Sequence, residues 1–112
     1  MECNISTHGI YTVVSLKGEV DLYYSPKARE HILGCLKQKQ NVLVDLSEVS
    51  YIDSSGVASL VEGYQEAKNS GIEFGLVGVS SAAMSVLQLA RLDKVFPIHD
   101  SVESISIPVK KD

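Results

Sequence analysis

A short and almost uninterrupted apolar run, "NVLVDL" at residues 41–46, is the feature that most limits how this chain can fold. Strands with one buried face alternate apolar and polar residues, whereas a continuous run is typical of a parallel strand that is covered on both faces. The connections between parallel strands are usually helices, and these supply the cover. The run therefore predicts an α/β fold with helices on both sides of this strand.

The residues before this run predict a strand pair and a helix. Segment 9–20, "GIYTVVSLKGEV", alternates in polarity and is rich in β-branched residues, which favours a strand paired with residues 3–6, "CNIS". Ser25 is a natural N-cap, and Pro26 suits the first helical position, where its missing N–H costs nothing. A helix is therefore expected to begin at this point.

The residues after the run continue the alternation of helix and strand. Apolar residues from Val57 to Ala67 recur at helical spacing, and Gly71 stands where that helix would stop. Later patterns predict a strand in 72–79, a helix capped by Ser80 or Ser81 in 80–92, an edge strand containing Pro97 in 94–100, and in 101–112 either a short amphipathic helix or an extended segment ended by Pro108. This order favours a mostly parallel sheet with crossover helices.

Length, charge and cysteine content narrow the classes of partner. The 112 residues fit one domain, 1–112, and the net charge of -4 without a Lys/Arg stripe argues against direct nucleic-acid binding. No apolar run approaches the roughly 20 residues that cross a bilayer, and the first residues do not resemble a signal peptide. We therefore expect a cytoplasmic protein without membrane insertion, in which Cys3 and Cys35 are reduced and mostly buried.

Motifs of common enzyme sites are missing from the sequence. It contains no Gly-x-Ser-x-Gly, no phosphate-cradling Gly-x-x-x-x-Gly-Lys loop and no Gly-x-Gly-x-x-Gly turn. His8, His31 and His99 fall in different predicted elements, so no shared metal site is predicted. We expect neither catalytic activity nor a cofactor.

The motif "IDSSG", residues 52–56, lies between a predicted strand and the clearest predicted helix. One side-chain oxygen is enough to cap a helix, yet Asp53, Ser54 and Ser55 all offer one. A serine at a helix start is also a good phosphate acceptor, because the free N–H groups and the helix dipole favour an anion there. Capping and phosphorylation are therefore the two interpretations of these hydroxyls.

Three segments carry a resemblance to a known family: "LKGEVD" at 16–21, "VLVDLSEVSYIDSSGVASLVEGYQEAKNSGIEFGLVGVS" at 42–80 and "LQLARLDKVFPI" at 87–98. In this order and spacing the chain resembles bacterial STAS-domain proteins, in particular the stand-alone anti-sigma-factor antagonists. The resemblance implies an α/β fold with a mixed, mostly parallel central sheet of four to five strands and about four helices packed mainly on one face.

The resemblance also implies roles for individual residues. Ser54, directly after the motif aspartate, is the implied phosphorylation site, with Ser55 as the alternative acceptor and capping as its other role. Asp53 flanks the acceptor and Gly56 leaves the hydroxyls sterically open. Asp21, in "GEVD", is implied to lie near the acceptor, while an ordinary loop or capping role is its alternative. These five residues form the predicted partner-binding site.

The partners implied by the resemblance are an anti-sigma factor, which is itself a serine kinase, and a phosphatase. The unphosphorylated antagonist binds the kinase and frees the sigma factor, phosphorylation ends the complex, and the phosphatase resets it. Antagonists often follow "DSSG" with Leu-Gly, whereas Val57 and Ala58 stand here. The alternative is therefore a STAS subunit that docks on the ATPase or permease of a lipid-transport ABC system.

Overall fold

The structure is a computed structural model that describes residues 1–103 and residue 105. It opens with an antiparallel hairpin of β1 (Glu2–His8) and β2 (Tyr11–Val20), whose register runs from Glu2 opposite Lys17 to His8 opposite Tyr11. Gly9 has a φ of 61° in the tight connection, a backbone conformation that glycine adopts without steric cost. The predicted pairing of the first two strands is confirmed.

The hairpin is followed by alternating helices and strands. In chain order these are α1 (Ser25–Lys37), β3 (Asn41–Ile52), α2 (Ser54–Ser70), β4 (Phe74–Val77), α3 (Ser81–Leu89) and β5 (Ile98–His99). The helix after "IDSSG" ends as predicted, because Gly71 adopts the left-handed conformation with a φ of 70°. Ser80, rather than Ser81, caps α3 through a hydrogen bond from the backbone N–H of Ala83.

The five strands form one sheet in the order β1-β2-β3-β4-β5. Only the β1–β2 pair is antiparallel, so the predicted mixed and mostly parallel sheet is confirmed, with β5 at an edge. The described residues contain three helices rather than about four. Residues 101–103 and 105 are not helical, and the remaining part of the predicted tail element, including Pro108, lies outside the described residues.

All three helices pack on one face of the sheet. Their buried side chains join those of the three central strands in one core, for which Ile32, Leu60, Leu87, Val14, Val44 and Leu76 are representative. The expectation that helices flank both sides of residues 41–46 is wrong for the described part of the chain. The arrangement implied by the family resemblance, with helices mainly on one face, is confirmed.

The opposite face of the sheet explains why the run at 41–46 is apolar throughout. Val13, Leu43 and Val77 are buried there and form a second, smaller apolar cluster. Val102 and Ile105, from the segment after β5, pack against this cluster. An apolar run therefore reports that both faces of a strand are covered, but it does not reveal whether a helix or an irregular segment provides the cover.

The cap of α1 differs from the prediction. Tyr24, not Ser25, occupies the cap position and makes no capping hydrogen bond with its side chain. Instead, Oδ1 of Asp21 accepts hydrogen bonds of 3.1 Å from the backbone N–H groups of Tyr23 and Tyr24. Ser25 is buried, and Pro26 lies in the first turn. Asp21, three residues before Tyr24, thus fixes the start of this helix, and it lies directly after the end of β2.

Candidate functional site

The candidate site lies at the carboxyl ends of two neighbouring parallel strands. Val20 ends β2 and Ile52 ends β3, and the two residues are register partners. Asp21 and Asp53 directly follow them, so the fold places both carboxylates at the same edge of the sheet. In parallel sheets this edge is the usual position of functional groups.

Asp53 is the N-cap of α2 and also holds the neighbouring loop. Its Oδ1 accepts hydrogen bonds from the backbone N–H groups of Ser55, at 2.9 Å, and Gly56, at 3.1 Å. Its Oδ2 accepts a hydrogen bond of 3.1 Å from the backbone N–H of Leu22, in the loop between β2 and α1. One carboxylate therefore fixes both the helix start and the loop that begins with Asp21.

The hydrogen bonds to Asp53 lower the pKa of its carboxyl group. The hydroxyl of Ser55 donates to Oδ1 and is the largest cause that lowers the pKa of Asp53, and the backbone N–H groups of Gly56, Ser55 and Leu22 lower it further. Each of these donors stabilises the charged form more than the neutral form. Asp53 is therefore a fixed negative charge at the amino end of α2, a position that the helix dipole favours.

The two serines of the motif have different environments. Ser55 is half-buried, and its hydroxyl is engaged with Asp53, so it supports the capping residue instead of capping the helix itself. Ser54 is the first residue of α2 and is exposed. Within residues 1–103 and 105, its hydroxyl makes no hydrogen bond. The apparent redundancy of the motif is thus resolved into a cap, a support for the cap, and a free hydroxyl.

Gly56 is needed because α2 starts very close to the ends of β2 and β3. A Cβ at this position would lie 2.7 Å from the backbone oxygen of Val20 and 2.7 Å from Cγ1 of Ile52. The prediction that Gly56 leaves the hydroxyls open therefore misses its main contact, since the residue is buried against the strand ends.

Exposed apolar side chains lie in the loop bonded to Asp53 and next to the motif in sequence, and the residues predicted for the site did not include them. Leu22 and Tyr23, in the loop bonded to Asp53, are 75% and 82% exposed, and Tyr51, two residues before Asp53, is 50% exposed. Large apolar residues beside a polar motif in a predicted loop were the available signal. Together with Asp21, Asp53 and Ser54 they define what we call the acceptor surface.

The remaining features of the described residues concern metal binding, membrane-spanning helices, thiols and a cavity. Within residues 1–103 and 105, no group of three or more His, Cys, Asp and Glu could hold a metal ion, and no helix is long and apolar enough to cross a bilayer. Cys3 and Cys35 are unpaired thiols whose pKa values burial raises. A cavity of about 230 Å³ lies at the opposite end of the strands, where Tyr11 begins β2 and Phe74 begins β4.

The sequence of this chain is similar to that of a known protein family. The family model of the STAS domain matches residues 4–105. The anti-sigma-B factor antagonist of Bacillus subtilis (strain 168) is 27% identical over 90 residues, which cover 80% of this chain and 83% of that protein.

Solved structures give the same picture. An anti-sigma factor antagonist from Mycobacterium paratuberculosis superposes with a TM-score of 0.80 at 25% identity, covering 91% of this chain and 87% of that chain. The Bacillus cell fate determinant SpoIIAA, solved in its phosphorylated form, superposes with a TM-score of 0.71 at 20% identity, covering 91% and 94%. At that identity the second likeness concerns the fold alone.

Proposed function

Because this chain belongs to the STAS domain family, we propose that it is an anti-sigma-factor antagonist that works by partner switching. In its unphosphorylated form it binds an anti-sigma factor that is a serine kinase, and the sigma factor is released. Phosphorylation of Ser54 ends the complex, and a phosphatase restores the binding form. The chain itself is a kinase substrate and not an enzyme, and it acts in the cytoplasm, where the sigma factor works.

The observation that carries this proposal is the free, exposed hydroxyl of Ser54 on a rigid helix start. A kinase needs an accessible hydroxyl, and Ser54 offers one, whereas the hydroxyl of Ser55 is held by Asp53. Asp53 already satisfies the N–H groups of Ser55 and Gly56, so a phosphate on Ser54 need not disturb the cap. This arrangement favours Ser54 over Ser55 as the acceptor.

The acceptor surface also has the composition of a protein-binding site. Leu22 and Tyr23 present apolar area that a partner would bury, and aromatic anchors of this kind dominate the binding energy of many interfaces. Asp21 and Asp53 supply fixed backbone geometry at the centre, because their carboxylates hold the loop and the helix start. Gly56 contributes by bringing α2 close to the ends of β2 and β3 rather than by offering a side chain.

Phosphorylation would change this surface through charge. A phosphate adds about -1.5 to -2 charge units next to the ionised Asp53, and a partner would have to desolvate that charge on binding. Coupling of this kind typically amounts to about 1–3 kcal/mol, which corresponds to a roughly 5- to 150-fold weaker complex. The folded structure stays intact, so the effect is confined to binding.

The test is affinity purification from the native organism with tagged Ser54→Ala and Ser54→Asp proteins. Ser81→Ala and Ser81→Asp are matched controls, because Ser81 is likewise the exposed first residue of a helix capped by the preceding residue. We expect an ATP-binding kinase to be retained by Ser54→Ala, lost with Ser54→Asp, and retained by both Ser81 variants.

Two other results would contradict the proposal. Equal retention of the kinase by Ser54→Ala and Ser54→Asp would mean that Ser54 is not a switch. Transport ATPase or permease subunits, held equally by all four variants and without a kinase, would instead identify the chain as a docking subunit of a lipid-transport ABC system.

A further inference from the structure

The two edges of the sheet are protected to very different degrees. β5 is only two residues long and follows Pro97, which has no N–H to donate, so it offers little to another strand. β1 has seven residues, contains neither lysine nor proline, and pairs with β2 without a bulge. Among the described residues β1 pairs on one side only, so its other side exposes a row of N–H and C=O groups that can pair with another strand.

The side chains of β1 are arranged so that the strand complements itself. A carboxylate and an imidazole stand at its two ends, Glu2 at one and His8 at the other. Both have the same parity and lie on the same face of the sheet. Within residues 1–103 and 105, neither has an ion-pair partner.

One antiparallel register satisfies both ends at once. If Ile5 lies opposite Ile5 of a second copy, then Glu2 of each chain lies opposite His8 of the other. Directly opposite side chains in antiparallel strands have Cβ atoms about 4.5–5.5 Å apart, close enough for the carboxylate of Glu2 to accept a hydrogen bond from an imidazole N–H of His8. A slip of two residues in either direction removes both carboxylate–imidazole pairs, so these pairs select this single register.

The opposite face of β1 also benefits from this pairing. Ile5 is 50% exposed and lines a groove between β1 and α1 with Gly34 and Gln38. A Cβ added to Gly34 would meet no atom within 4 Å, so the helix leaves open space above the strand. In the two-fold arrangement the two Ile5 side chains cover each other at the axis.

We propose that β1 is the interface of a homodimer, in which two copies pair their first strands antiparallel about Ile5 and form one continuous ten-stranded sheet from two five-stranded ones. This proposal is independent of the proposed function, because the acceptor surface lies at the carboxyl ends of β2 and β3. The second copy is the fitting occupant, since a strand with a carboxylate at one end and an imidazole at the other matches itself in antiparallel orientation.

The test is sedimentation equilibrium of the purified full chain from micromolar to millimolar concentration. We expect a reversible monomer–dimer equilibrium that Ile5→Lys abolishes, because two lysines would face each other at the axis. Val95→Lys is the matched control, since Val95 is a similarly exposed apolar residue, at 46%, outside β1. A chain that stays monomeric throughout, or a dimer that Ile5→Lys leaves unchanged, would overturn the proposal.

A charge exchange tests the register itself. His8→Glu places two glutamates opposite each other at both ends and should raise the dimer Kd by about 5- to 30-fold. Adding Glu2→Lys should restore the original affinity. Lys17 lies opposite residue 2 in the same chain, both in the monomer and in the dimer. Its interaction with residue 2 is therefore present in both states and does not change the dimer Kd. A double variant that dimerises as weakly as His8→Glu alone would rule out this pairing.

Discussion

At the scale of single residues, the three polar residues of "DSSG" have different hydrogen-bonding roles. Asp53 accepts the hydrogen bonds, Ser55 donates one of them, and Ser54 donates none to the described residues. The sequence singled out these three residues, since polar oxygens cluster where a strand pattern turns into a helix pattern. It could not assign their roles, because the rotamer that brings Ser55 back to Asp53 depends on the dihedral angles of the turn.

We predict that Asp53 stabilises the fold only while it is ionised. Its pKa in the folded protein lies below the ordinary value, so its contribution to stability is fully present above the unfolded pKa of about 4. That contribution is lost as the pH falls through the lower, folded pKa. Asp53→Asn should therefore lower the free energy of unfolding at pH 7, and the difference from wild type should shrink under acid conditions.

Urea denaturation of both proteins at pH 7 and at acid pH measures this difference. Asp100→Asn is the control, because Asp100 is exposed and its carboxylate holds no helix start. A difference between Asp53→Asn and wild type that is the same at both pH values would show that the charge of Asp53 is irrelevant to stability.

At the scale of elements, close packing rather than propensity sets where the helices lie. Gly56 and Gly34 both sit in helices, but only Gly56 faces a crowded surface, formed by Val20 and Ile52. The pattern of apolar residues predicted α2 and its end at Gly71, because the periodicity is local. The start of α1 at Ser25 is also as predicted, but Ser25 is not its cap, since Asp21 accepts the hydrogen bonds there and its position depends on the neighbouring strand.

We predict opposite effects of alanine at these two glycines. Gly56→Ala should lower the free energy of unfolding by about 1–3 kcal/mol, because the new Cβ collides with a backbone oxygen that cannot easily move. Gly34→Ala should raise it by up to about 1 kcal/mol, since alanine restricts the unfolded chain and meets no neighbour.

Thermal and urea denaturation of the two variants in parallel provide the measurement. Each serves as the control for the other, because the substitution is chemically identical. If Gly56→Ala were as stable as Gly34→Ala, α2 would have to tolerate a displacement from the strand ends, and the rigid acceptor surface would be called into question.

At the scale of the whole molecule, the sheet separates two surfaces. The acceptor surface is at the carboxyl ends of β2 and β3, while the proposed dimer interface is the lateral edge of β1. The order of elements predicted the mostly parallel sheet, because crossover connections restrict the topology, and Pro97 predicted that β5 lies at an edge. It did not predict which face the helices leave open, since Val102 and Ile105 cover that face from a segment without a periodic pattern.

We predict that the two surfaces act independently. Ser54 follows the end of β3, whereas Ile5 lies in β1, two strands away in the sheet. Along the strand direction, Ile5 is opposite Val14 and so is also far from the carboxyl end of β2. Separated sites usually combine additively, so Ser54→Asp should leave the dimer Kd within about twofold of wild type. Sedimentation equilibrium of both proteins in the same buffer measures this, with Ile5→Lys as the reference for a lost dimer. A larger change would indicate coupling between the sheet edge and the helix start.

The two oxygens of Asp53 have a consequence for how quickly such a protein can respond. Because one carboxylate ties the loop of Leu22 to the start of α2, the surface is already in order before a partner arrives. Little conformational entropy then remains to be lost on association, which is the advantage of a preorganised interface. The rate of switching would therefore depend on diffusion of the partner and on phosphate transfer, and not on a rearrangement of the loop.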